Sequence, residues 1–146
     1  MHKTFLISIF ILLLAGCDKN KFNTTPSLKY KSVNTTVLHP GQIITFTLSF
    51  TDAEGDLTDT VSIIKFDPVC VNSRFTDRYV LPDFPTSKNQ KGEILVSYGY
   101  NVTSYPPIQG PQCQNRDDTC VFKFVLKDKA QHMSDTAVSE TIVITH

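Results

Sequence analysis

Between residues 42 and 51 the sequence alternates strictly. Ile44, Phe46, Leu48 and Phe50 fall on one side, and Ile43, Thr45, Thr47 and Ser49 on the other. Successive side chains of an extended chain point to opposite faces, so a period of two marks a half-buried β-strand. A strand with one apolar face must be covered by another layer, which commits this stretch to a packed sheet. The alternation returns at 92–100 through Ile94, Val96, Tyr98 and Tyr100, and at 120–127 through Cys120, Phe122, Phe124 and Leu126. Residues 28–34, 36–38, 59–66 and 138–145 also read as strands, the last with Ile142 and Ile144 inward. A further strand is expected near 78–81. No segment combines a helical period with helix-forming residues.

Turn residues separate these runs. His39-Pro40-Gly41, the acidic stretch 52–56 and Asp67-Pro68 each close a strand, while Pro82, Pro85 and Tyr105-Pro106-Pro107 mark longer loops. Thr, Ser, Val, Ile and Phe are abundant and Trp is absent, which is a β composition. About seven to eight short antiparallel strands with turns at this spacing predict an all-β sandwich, with long loops in the middle. A small barrel is the alternative, which the Pro-rich loops and the apolar last strand disfavour.

The N-terminus carries a different signal. Met1-His2-Lys3 is a short cationic start, residues 4–14 are almost wholly apolar, and Leu14-Ala15-Gly16-Cys17 follows. The run is too short for a membrane span of about 20 residues and fits a secretory signal. The Leu-Ala-Gly-Cys order resembles the lipobox of bacterial lipoproteins. That resemblance implies cleavage before Cys17, lipidation of its sulfur and acylation (palmitate) of its amine. Several acyl chains, each contributing roughly 0.8 kcal/mol per buried CH₂, would hold the protein on a bilayer. The organisation expected is a signal peptide at 1–16, a lipidated tether at 17–27 and a sandwich domain at 28–146. The remainder looks like lipoproteins of the Bacteroidota, which implies an outer-membrane location. Asp18-Lys19-Asn20-Lys21 lacks the acidic run of their surface-export signals.

The stretches GQIITFTLSFTDAEGDL at 41–57 and VLKDKAQHMSDTAVSETIVI at 125–144 resemble immunoglobulin-like domains of bacterial surface lipoproteins. In those domains an early strand enters an Asp-x-x-Gly-Asp turn, and a Lys-Asp-Lys-Ala-type turn joins the last two strands. The cysteine-containing middle departs from that pattern and implies an inserted hairpin or long loop.

Without the signal, 130 of the 146 residues remain, one domain in size, with 13 basic against 14 acidic side chains once Lys3 is gone. Such a balance supplies no phosphate-binding face, and no nucleic-acid partner is expected. With Cys17 lipidated, Cys70, Cys113 and Cys120 are left, in an oxidising compartment where a disulfide is expected. Cys113 and Cys120 flank a short polar loop suited to a bridge, and Cys70 is the alternative partner of either. No Cys-x-x-Cys spacing suggests zinc or redox chemistry.

Asp52, Glu54 and Asp56 alternate around Gly55, so in an extended loop their carboxylates could face one way. Calcium takes six to eight oxygens, and Asp128 or Asp135 would join if the later turn shares that end of the sandwich. The competing reading is a turn whose aspartates cap backbone N–H groups. Apart from calcium, no cofactor is expected.

Phe75, Tyr79, Phe84 and Tyr105 are the loop aromatics expected to bind a ligand, with Arg74 and Arg78 nearby. Thr60 and Thr136 lie in Asp-Thr-Val and Asp-Thr-Ala, short matches to the O-glycosylation motif of Bacteroidota. There is no Gly-x-Ser-x-Gly elbow, His-Glu-x-x-His or phosphate loop, so no enzyme is expected. The expected function is that of a monomeric, outer-membrane-anchored, non-catalytic module binding an envelope protein or glycan through loops 67–90 and 101–119. The alternative is a calcium-stabilised structural or adhesion-type domain.

Overall fold

A computed structural model describes residues 24–146, apart from 83, 84 and 86. The lipobox, the signal segment and Phe84 lie outside the described residues. The alternating stretches form the long strands. They are β1 (Ser27–Val33), β2 (Val37–Leu38), β3 (Ile43–Asp52), β4 (Leu57–Phe66), β5 (Phe75–Val80), β6 (Gln90–Gly99), β7 (Asp118–Asp128), β8 (Ala137–Val138) and β9 (Ile142–Ile144). A short 3-10 turn, Val71–Ser73, precedes β5.

Two sheets result. One has the order β1-β3-β6, and the other β2-β9-β7-β4-β5 with β8 added beside β7. All pairings are antiparallel except β2 with β9. The chain is an immunoglobulin-like β-sandwich. On β3 every second residue from Ile44 to Asp52 is buried, and on β7 every second residue from Asp118 to Asp128. The sheets meet through these faces: the Phe46 ring of β3 lies 4.7 Å from Phe122 and 5.2 Å from Phe124 of β7. Tilted ring contacts of this kind add to the area that the rings remove from water.

Three expectations are corrected. The last strand is divided, because Ser139 turns inward between β8 and β9: its N–H donates to Phe122 O and its hydroxyl accepts from Phe122 N. Strand β1 begins at Ser27, inside the span assigned to the tether. The disulfide is Cys70–Cys113, with Cα atoms 6.0 Å apart, and not Cys113–Cys120. Cys120 occupies an inward position of β7, where its Sγ points at Ile142 O, while Cys113 stands on an outer loop. Cys70, the alternative partner, reaches Cys113 from within the β4–β5 connection. Burial pushes the Cys120 thiol up to about 12, the Lys65 charge opposing this and Asp118 and Asp67 adding to it. Such a thiol is a small core residue and not a nucleophile.

Candidate functional site

A groove opens between the edge strand β5 and the loop that leaves β6. The loop folds back on its own strand: Gly99 N–H donates to Pro106 O at 2.9 Å, and Ile108 N–H to Gly99 O at 3.0 Å. Ile108 is buried and anchors it. Gly110 passes so close beneath Tyr100 that a Cβ would lie 2.3 Å from the phenol oxygen, so a larger residue there would have to displace the ring. Farther along, Gln112 N–H donates to Ser73 Oγ at 2.9 Å, and the Cys70–Cys113 bridge fastens the loop to the β4–β5 connection. The wall is therefore tied down at both ends, as a preformed site requires.

A cavity of about 580 Å³ lies between Phe75, Thr76 and Asp77 on one side and Asn101 and Pro107 to Gly110 on the other. That is within the usual range for ligand sites. Two smaller recesses of about 360 Å³ each continue it through the shared Pro107, one toward Tyr79 and Val80, the other toward Tyr105. Val80 is 71% exposed and Tyr105 40%. Asn101, Gln109 and Asp77 supply polar groups among these apolar surfaces. Asp77 is held in place: Oδ2 accepts from Tyr98 OH at 2.8 Å and Oδ1 from Arg78 N–H at 2.7 Å. Burial, with Asp77 adding to it, raises the Tyr98 hydroxyl far above the ordinary tyrosine range, so it remains a donor.

Three of the four expected aromatics thus line one groove, in different states. Tyr105 is exposed. Phe75 and Tyr79 are half-buried on β5, each edge-on to Tyr98, and Tyr79 OH accepts from Ser97 N–H at 3.3 Å. Tyr98 and Tyr100 belong to the core. Arg74 is occupied elsewhere, donating to Asp67 O and lying over the Phe66 ring. Thr60 is half-buried on β4, and Thr136 is exposed ahead of β8.

The acidic turn stands at the end of the sandwich where β3 and β7 finish. Asp52 is the last inward residue of β3 and is fully buried; its Oδ2 accepts Asp56 N–H at 3.0 Å. Gly55 has φ +67°, and a Cβ there would collide with Ser87 O at 1.9 Å. The turn at 128–132 packs against it, Lys129 N–H donating to Asp56 O at 2.9 Å. Ligand atoms of Glu54, Asp128 and His132 all lie within 4.8 Å of one another, so Asp128 does share this end, as the sequence suggested. Asp135 is not in that group. Both oxygens of buried Asp128 are engaged by His132, through its backbone N–H at 2.7 Å and its Nδ1 at 2.8 Å. Asp52 Oδ1, Asp56 Oδ1 and Gln90 Oε1, in contrast, are buried with no donor among the described residues. Leaving a buried polar group without a partner costs about 1–3 kcal/mol. Gln90 was not singled out from the sequence; its place opposite Asp52 in the β3–β6 ladder is what brings it here.

No protein-family model and no curated protein matches the sequence. Among solved structures the chain is similar to part of an alkylpurine DNA glycosylase from Pseudomonas fluorescens, at 8% identity and a TM-score of 0.52, covering 85% of this chain and 31% of that one. It is also similar to the PKD domain of an M14-like peptidase from a Thermoplasmatales archaeon, at 15% identity and 0.42, covering 84% and 94%. A third is the CARDB domain of a Pyrococcus furiosus protein, at 6% and 0.43, covering 83% and 94%. The glycosylase likeness is one of fold, and this chain spans less than a third of that protein.

Proposed function

We propose that this chain is a lipid-anchored, non-catalytic binding module of a bacterial outer membrane, and that its ligand is a glycan chain held in the groove between β5 and the 99–110 loop. The observation that carries this reading is the groove itself. It is open, braced by a disulfide and lined by the exposed Tyr105 and Pro107 and the half-buried Phe75 beside amide and carboxylate groups. Sugars present apolar faces that stack on rings and hydroxyls that bond to such groups, so the lining is chemically matched to them. The lipobox-like Leu14-Ala15-Gly16-Cys17 supports the anchor, with Cys17 as the lipidated residue and 17–26 as tether.

A glycan array probed with the full chain in detergent tests the reading. Retention of at least one oligosaccharide is expected, with Tyr105→Ala and Gln109→Ala each weakening it about tenfold, or roughly 1.4 kcal/mol. Both residues are exposed, so the fold should tolerate the changes. Capture of an envelope protein through the same residues, with no glycan retained, would reassign the groove to a protein ligand. Binding unaffected by either substitution would remove the groove from the function.

A further inference from the structure

We propose that the acidic end of the sandwich is a binding site for a hard divalent cation of the calcium class, built from Asp52, Asp56 and Gln90, with the Glu54 carboxylate adding negative charge nearby. Five buried side-chain atoms lack a hydrogen-bond partner among the described residues, and three of them, all oxygens, come from these neighbours. Asp52 is hydrogen-bonded to Asp56 through Oδ2 and is the cross-strand partner of Gln90. Directly opposed residues of an antiparallel pair share a face, so Gln90 stands beside Asp52 on the inner face of the sheet. Asp52 is wholly buried, yet one of its oxygens is offered to nothing. The remaining two atoms belong to Arg116 and Asp118, at the opposite end of β7.

The donor set selects the ion. Two carboxylates and one amide oxygen form an all-oxygen set that water can complete, while the exposed Glu54 carboxylate groups with Asp128 and His132 and adds negative charge beside it. Asp128 is already engaged by His132 and contributes negative charge close by. Gly55 permits the turn to close against Ser87, which brings Asp56 back over Asp52. The site lies apart from the groove and does not depend on the proposed glycan. Filling it would link β3, β6 and the β3–β4 turn, giving a domain whose acidic end becomes rigid only with the ion bound.

The test is calorimetric titration of the chelator-stripped full chain, in detergent, with calcium chloride and then magnesium chloride, alongside thermal melts. One calcium per chain is expected, bound at least tenfold tighter than magnesium. A hundredfold excess over Kd should raise Tm by on the order of 10 °C. Asp52→Asn should weaken binding at least tenfold. Because a buried change at Asp52 could itself unfold the chain, Gln90→Ala and the exposed Glu54→Gln serve as fold-sparing variants, each expected to weaken calcium several-fold. Absence of both heat and Tm shift at 10-millimolar-order calcium would overturn the proposal. So would weak binding shared equally by magnesium, or an affinity unchanged in Gln90→Ala and Glu54→Gln.

Discussion

Lys65 and Asp118 show what a single inward position can cost. Both are fully buried, and Lys65 Nζ donates to Asp118 Oδ2. Lys65 takes the place on β4 that alternation assigns to a core residue, following Val61 and Ile63. Two charges withdrawn from water hold each other there, and losing one strands the other. Asp118→Ala is therefore expected to destabilise the fold by about 3–5 kcal/mol. The paired replacement Lys65→Met with Asp118→Leu should recover most of that loss, as read from urea unfolding midpoints. Full destabilisation persisting in the double variant would mean that the charges do more than compensate each other. Neither residue stands out in the sequence, because a lysine in a strand ordinarily faces solvent.

Among the elements, the end of β4, the 3-10 turn and the start of β7 are joined by one carboxylate. Asp67 accepts the N–H groups of Val69 at 2.7 Å, Cys70 at 2.8 Å and Thr119 at 3.0 Å, and Arg116 lies 3.9 Å away. Burial alone would raise its pKa, but those three bonds and the guanidinium together outweigh burial and hold it below the ordinary carboxylate value. The folded-state value is thus depressed. The stabilisation is complete above the unfolded pKa of about 3.9 and disappears as pH falls through the folded value. Urea melts at pH 7, 5 and 3 should show the wild type losing stability at the acid end. Asp67→Asn should be weaker at neutral pH and lose less on acidification. Equal acid sensitivity in both proteins would assign the effect to other carboxylates.

For the whole molecule, the Cys70–Cys113 bridge couples stability to the groove. It closes 43 residues of chain, which by the chain-entropy argument contributes about 4 kcal/mol. The same bond braces one wall of the proposed binding site. Replacing both cysteines by serine should lower the unfolding free energy by about 2–4 kcal/mol and also weaken glycan retention, while Tyr105→Ala should weaken retention alone. Thermal melts and array binding on the same preparations separate the two effects. A serine variant that lost stability but kept full retention would show that the loop does not need its brace.

What the sequence determined by itself is local. The alternation at 42–51, 92–100 and 120–127 marks the strands, their inner faces and hence the two-layer architecture, because a strand's pleat needs only its own residues to sort apolar from polar. The acidic turn and the groove aromatics were legible as residue types, and Tyr105 and Pro107 were legible as loop. The tertiary structure decided the rest. Cys113 pairs with Cys70 across 43 positions and not with its near neighbour Cys120, whose face of β7 is turned inward. Asp118 meets Lys65 across 53 positions, and Gln90 meets Asp52 only because β6 pairs with β3 in that register. Such contacts join residues that no local period relates, and the stacking of the two sheets is what brings them together.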